Sequence, residues 1–154
     1  MSRKTLLHID DNSDDLFLFR RACSQAGVSF HLESNDDGKE AQDYLQARGQ
    51  YSDRSKFPPP DFVLLDLKMP PPDGFAMLAW IRERTEFNHL MVCIFTSSFQ
   101  YEDIQKAYAG GANSFLTKPP AYNNLVAIAT ALNQSIATTP PDVGPLKQLP
   151  EFRQ

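Results

Sequence analysis

An α/β fold built on an open, doubly wound parallel sheet follows from three features of the sequence. Short apolar runs alternate with longer amphipathic ones from Leu6 to Ile136. Two of the short runs, Phe62-Val63-Leu64-Leu65 and Met91 to Phe95, are apolar at every position, as strands covered on both faces must be. The chain's 12 prolines fall between the runs, at 58–60, 70–72 and 119–120, and again at 140, 141, 145 and 150. Prolines grouped in this way punctuate elements and do not mark a disordered chain.

The elements follow in order. Leu6 to Ile9 is a strand. Asp14 to Ala26 is a helix, with Leu16, Phe19, Ala22, Cys23 and Ala26 at helical spacing and Gly27 as its stop. Ser29 to Glu33 is a second, more polar strand. Gly38 to Arg48 is a helix with Ala41, Tyr44 and Leu45 on one side, and Gly49 to Pro60 is a loop. Phe62 to Leu65 is the third strand, Asp73 to Arg84 a helix, Met91 to Phe95 the fourth strand, and Tyr101 to Ala109 a helix stopped by Gly110-Gly111. Ser114 to Leu116 is the fifth strand and Asn123 to Ile136 the last helix. Strict alternation with right-handed crossovers gives a flavodoxin-like, five-stranded parallel sheet in the order 2-1-3-4-5. From about Ala137 the period stops, so 1–136 reads as the domain and 137–154 as a proline-containing tail. The tail's Val143, Leu146, Leu149 and Phe152 leave two alternatives open: a frayed end, or docking along the domain or on a partner subunit.

Composition excludes several functions. Formal net charge is -4, and apart from the Arg3-Lys4 and Arg20-Arg21 pairs the basic residues are dispersed. No basic stripe is present to neutralise phosphates, which argues against nucleic-acid binding. Cys23 and Cys93 form neither a disulfide framework nor a metal spacing and read as buried thiols of a reducing compartment. The N-terminal apolar run is too short for a signal peptide, and no stretch approaches the roughly 20 apolar residues of a membrane span. A soluble, cytoplasmic protein is expected.

In such a sheet, sites form beyond the carboxyl ends of the strands. The first strand runs into Asp10 and Asp11, the third into Asp66, the fourth into Thr96 and Ser97, and the fifth leads to Lys118. Each piece alone has an ordinary reading. Acids near a helix start stabilise its dipole, which suits Asp14 and Asp15, and an Asp after a buried run is a common turn former. Together they say more. Three carboxylates in one crevice repel one another, and a divalent cation resolves the repulsion. Oxygen donors with few protein ligands suit Mg²⁺. A lysine and a threonine hydroxyl opposite would receive phosphoryl oxygens, and an aspartate can be the nucleophile toward phosphorus. Phosphoryl transfer to Asp66 is the reading. No glycine-rich nucleotide loop is present, and none of His8, His31 and His89 lies at a strand's carboxyl end, so multiple-turnover hydrolysis is not favoured.

At these residues the chain resembles the response-regulator receiver family, the chemotaxis-type phosphoacceptor domains of two-component signalling. The resemblance runs from residue 4 to about 136. It rests on Ile9-Asp10-Asp11, on Leu64 to Pro70 with Asp73-Gly74, on Phe95-Thr96-Ser97, on Gly111 to Phe115, and on Lys118-Pro119. It implies that Asp66 is the phosphoacceptor. It implies that Asp11, Asp66 and the Lys68 backbone carbonyl bind Mg²⁺ directly, with Asp10 acting through a bound water. Thr96 corresponds to the switch hydroxyl, Phe115 to the switch aromatic and Lys118 to the phosphate-contacting lysine. A cis peptide at Lys118-Pro119 is implied as well. Segments 37–41, 43–45, 49–51 and 112–114 further resemble single-domain regulators paired with phytochrome-type histidine kinases. Pro71-Pro72 and Pro120 depart from the family's usual residues.

The resemblance implies a stand-alone response regulator that takes its phosphoryl group from a histidine kinase, of phytochrome type or another, or from a phosphotransfer protein. With no output domain following, signalling would go through protein contacts, and homodimerisation would use the face of the fourth helix, fifth strand and last helix. A phosphatase using the same aspartyl chemistry would want an acid two residues after Asp66, where Lys68 stands, so the chain is not read as an enzyme. A pseudo-receiver that is never phosphorylated is the alternative, and the intact acidic pair, Thr96 and Lys118 speak against it.

Overall fold

The structure, a computed structural model, describes residues 3–154. Along the chain lie β1 (Thr5–Ile9), α1 (Ser13–Ala26), β2 (His31–Asn35), α2 (Gly38–Leu45), β3 (Phe62–Leu65), α3 (Gly74–Arg82), β4 (Met91–Thr96), α4 (Tyr101–Ala109), β5 (Ser114–Thr117) and α5 (Tyr122–Ile136). A short α6 (Gly144–Lys147) and β6 (Phe152–Arg153) follow. The sheet order is β2-β1-β3-β4-β5-β6. The first five strands are parallel and β6 runs antiparallel to β5.

The period of two along the strands divides the apolar residues between two cores. Val63 and Leu65 of β3, with Leu7, Ile9, Val92, Ile94 and Phe115, pack under α2, α3 and α4. Phe62 and Leu64, with Leu6, Cys93, Phe95 and Leu116, pack under α1 and α5. Every β3 residue is buried, which is why that strand carries no polar position. Each large side chain so buried contributes about 1.5–3 kcal/mol, and together they fix where the strand ends fall.

Local signals start and stop the helices. The Asn12 side chain accepts the Asp15 N–H to cap α1, and Gly27 ends it at φ 67°, a left-handed turn that glycine adopts without steric cost. Asp73 caps α3 by accepting the Ala76 N–H. Gly74 is required where it stands, because a Cβ there would lie 2.2 Å from the Asp66 carbonyl oxygen. That glycine lets α3 begin directly against the backbone of Asp66.

Several expectations are corrected. The second strand begins at His31, not Ser29, because the Arg3 guanidinium donates to the carbonyls of Ser29 and Phe30 and keeps them out of the ladder. Helix α2 ends at Leu45, not Arg48; Ala47 turns to φ 55° and the Arg48 N–H closes back on the Asp43 carbonyl. The sheet has a sixth strand. Residues 137–154 fold back on the domain: Ser135 donates its hydroxyl to the Asp142 carbonyl, Leu146 is fully buried in the α1–α5 core, and the Glu151 carbonyl accepts the Thr117 N–H. Lys118-Pro119 is not cis. Among the described residues the cis bonds are Pro71-Pro72 and Thr139-Pro140. The Lys118-Pro119 bond keeps the trans form that a tertiary amide favours by about 0.5–1 kcal/mol. No helix among the described residues is long and apolar enough to cross a membrane.

Candidate phosphoacceptor and metal site

Backbone hydrogen bonds carry the sheet past the ends of its strands and set the site's spacing. The Asp66 N–H donates to the Ile9 carbonyl at 3.0 Å, the Asp10 N–H to Asn35 at 3.1 Å, and the Lys118 N–H to Thr96 at 2.8 Å. Asp10, Asp66, Thr96 and Lys118 are therefore held side by side along one edge.

The carboxylates of Asp10, Asp11 and Asp66 converge, one oxygen of each lying within 4.8 Å of the others. Asp10 is fully buried, Asp66 nearly so, and Asp11 is exposed. Lys118 reaches across them. Its Nζ donates to Asp10 Oδ2 at 2.6 Å, to Asp15 Oδ2 at 2.8 Å and to Asp66 Oδ2 at 3.2 Å. The other Asp10 oxygen accepts the Asn12 N–H at 2.9 Å. Burial pushes the Asp10 carboxyl up to about 6, against the opposing pull of Lys118 and the Asn12 N–H. For Lys118, burial alone would favour the neutral amine, but the bonds to Asp10 and Asp15 and the charge of Asp66 outweigh it and hold the ammonium above its ordinary range. One cation thus serves three acids.

The hydroxyl side of the site is different. Thr96 Oγ1 is buried and has no hydrogen-bond partner. Ser97, next in the chain, is exposed, and Ser98 is turned away, donating to Asp103 at the start of α4. Phe115 is wholly buried in the core beneath α4 with Ile94, Ile104 and Ala107. The Lys68 N–H makes a long contact of 3.4 Å with Asp66 Oδ1.

The donor set fits a hard divalent cation. Three carboxylate groups supply oxygen only, they converge on a short span, and at least one is open to solvent, where a Mg²⁺ ion would keep its waters. Two contributors went unread in the sequence. Asp15 reads in the sequence as an acid serving the dipole of α1, yet its side chain binds Lys118. Its place in the first turn of α1, just past the Asn12 cap, gives no signal of that contact. His8, with one nitrogen 3.9 Å from Asp10, lay inside an apolar run and gave no signal.

A doubly wound sheet with an acidic trio, an unpartnered hydroxyl and a lysine at its carboxyl edge defines an open α/β domain with its candidate site beyond the strand ends. The comparisons give the family. Residues 6–130 match the response regulator receiver domain, and the chain belongs to that family. It is 33% identical over 120 residues to the probable methanogenesis regulatory protein FilR2 of Methanothrix harundinacea, covering 78% of this chain and 75% of that one. To the response regulator Rcp1 of Synechocystis it is 30% identical over 115 residues, covering 75% and 76%. The Mn²⁺-bound form of response regulator Rcp1 superposes with a TM-score of 0.76 at 26% identity, covering 88% and 96%. The phosphorylated cyanobacterial phytochrome response regulator RcpA superposes with a TM-score of 0.78 at 29% identity, covering 89% and 98%.

Proposed function

We propose that this receiver domain accepts a phosphoryl group on Asp66 from the phosphohistidine of a histidine kinase or phosphotransfer protein and signals through the resulting change in its surface. One observation carries the reading: Lys118 bridges Asp10, Asp15 and Asp66 while the Thr96 hydroxyl, at the end of the neighbouring strand, is buried without a partner. A buried hydroxyl left unpaired costs free energy that an incoming phosphoryl oxygen would recover.

Asp10, Asp11, Asp66 and the Lys68 carbonyl would hold Mg²⁺, which would supply positive charge to stabilise the phosphoryl oxygens. The chain's own groups do the rest. A carboxylate oxygen of Asp66 forms the new O–P bond as the P–N bond to the donor imidazole breaks, its electron pair returning to that nitrogen. Lys118 neutralises one phosphoryl oxygen. Thr96 donates to another, with Ser97 beside it. In the switched state Phe115 fills the space that Thr96 leaves, and the surface of α4, β5 and α5 changes.

The likeness to Rcp1 and RcpA supports a phytochrome-type histidine kinase as the phosphodonor. Dimerisation through α4, β5 and α5 is part of the proposal. It would be made by helix surfaces, since β6 occupies the outer edge of β5. The functional unit is residues 1–136, with 137–154 as an appended strap. We place the protein in the cytoplasm, where two buried free thiols are stable. The role is that of a signalling module and not of an enzyme.

The test is intact mass after incubation with Mg²⁺ and acetyl phosphate. An acid-stable, base-labile gain of one phosphoryl group is expected. No gain from acetyl phosphate or from any kinase would leave the chain a pseudo-receiver.

A further inference from the structure

The sheet has two outer edges, and the chain closes one of them. Strand β6 covers the free edge of β5, while nothing among the described residues pairs with the outer edge of β2. The bonds of β2 to β1 run through alternate residues: the His31 N–H donates to the Lys4 carbonyl, and the Asn35 carbonyl accepts the Asp10 N–H. By the same period Leu32 and Ser34 turn their N–H and C=O groups outward. Those backbone groups have no partner among the described residues. Such a row is a template for another strand.

Cations flank this edge. The Arg20 guanidinium, on α1, reaches Ser34 Oγ at 3.1 Å. Arg3 sits where β2 begins and donates to the Ser29 and Phe30 carbonyls. One hollow on the surface is lined by Arg3, Arg20, Val28, His31 and Leu32, and a second shares Arg3 and His31 and is lined also by Lys56. Arg3, Arg20 and Lys56 are exposed, and none forms an ion pair among the described residues. The carboxylates beside the hollows are occupied: Glu33 lies 2.5 Å from His31 Nε2, and Asp61 accepts the Thr5 N–H at 2.9 Å. In a chain of net charge -4 this patch has the opposite sign.

We propose that the outer edge of β2 is a docking surface for an acidic segment of a partner protein, added in extended form as a further strand. Leu32 and Ser34 would offer its backbone two N–H donors and two carbonyl acceptors, and Arg3, Arg20 and Lys56 would meet its carboxylates. Charge selects this occupant over a second copy of the chain. Twofold antiparallel pairing of β2 through Leu32 and Ser34 sets Glu33 of one copy opposite Glu33 of the other, and like charges directly opposite are destabilising. The surface is separate from the phosphoacceptor site, and its test needs neither Mg²⁺ nor a phosphodonor.

The probe is a fluorescein-labelled octapeptide alternating glutamate and valine, followed by anisotropy, with a peptide alternating lysine and valine as the control. The acidic peptide should bind the wild type, more weakly as salt rises, and the lysine peptide should not bind. In ¹H–¹⁵N spectra the Leu32 and Ser34 amides should shift and exchange more slowly when the acidic peptide is added. Arg20→Glu should weaken binding about tenfold, the size of one hydrogen bond to a charged group. Ser34→Pro removes an outward N–H, at a position where an edge strand tolerates proline, and should abolish binding. The proposal is overturned if the acidic peptide does not bind, binds with the Leu32 and Ser34 amides unmoved, or binds Arg20→Glu as tightly as the wild type. A lysine peptide that binds equally well overturns it too. So does a wild-type dimer in sedimentation that Ser34→Pro dissolves, because a second copy then holds the edge. Should Ser34→Pro not fold, the wild-type spectra and Arg20→Glu decide the matter.

Discussion

The two halves of the site stand in opposite conditions. On the side of β1 and β3 every buried charge is answered: Asp10, Asp15 and Asp66 share Lys118, and Asp10 also takes the Asn12 N–H. On the side of β4 the Thr96 hydroxyl is buried and answered by nothing. The difference separates two tasks. The charged half must exist before any phosphoryl group arrives, because carboxylates this close would otherwise repel or bind protons. The hydroxyl half is completed only by the phosphoryl oxygens. Folding stability should therefore depend on the first half and the response to phosphorylation on the second.

The largest expected effect breaks the charged half at its centre. Asp66→Asn removes the nucleophile, and no stable aspartyl phosphate should form; phosphoryl mass retained by this variant would refute the assignment. Next is Lys118→Ala. It leaves Asp10 buried without its cation, a loss of about 3–5 kcal/mol at neutral pH by urea titration, and phosphorylation should slow about 10²–10³-fold, as when one preorganised donor to a developing charge is removed. Its stability defect should shrink as pH falls, because protonation of Asp10 removes the buried charge.

A smaller effect comes from pH. With its carboxyl held up to about 6, Asp10 must release a proton for the metal to bind. Mg²⁺ affinity, followed by calorimetry, should fall about tenfold per pH unit below that value. Without metal the same shift acts on stability with the opposite sense. Between the ordinary 3.8 and about 6 the folded state holds a proton that the unfolded chain has released, so this contribution is lost as pH rises through that window. The smallest effect is at Thr96. Thr96→Val removes an unpaired hydroxyl at nearly constant volume, so resting stability should stay level or rise by about 1 kcal/mol, while the gain from beryllofluoride should fall.

The strand ends made most of this legible in the sequence. Asp10, Asp11, Asp66, Thr96 and Lys118 each follow an apolar run, and where the fold is doubly wound such residues meet. What the sequence hid depends on contacts between distant segments. Asp15 looks like any acid in a first helical turn until the rotation of α1 over the sheet is known. His8 sits in an apolar run, and only its packing beside Asp10 marks it. The start of β2 is decided by Arg3, 26 residues before Ser29. Strand β6 has two residues, too few to show a period, and exists because β5 presents an open edge to it.

The central claim is that one half of the site is satisfied at rest and the other is completed by a phosphoryl group. Urea unfolding of the wild type, Lys118→Ala and Thr96→Val, each with and without beryllofluoride and Mg²⁺, tests it most directly. At rest, Lys118→Ala should be much less stable than the wild type and Thr96→Val no less stable. With the mimic, the wild type should gain stability and Thr96→Val should gain measurably less. A Thr96→Val protein that loses as much resting stability as Lys118→Ala, or gains as much from the mimic as the wild type, would contradict the account.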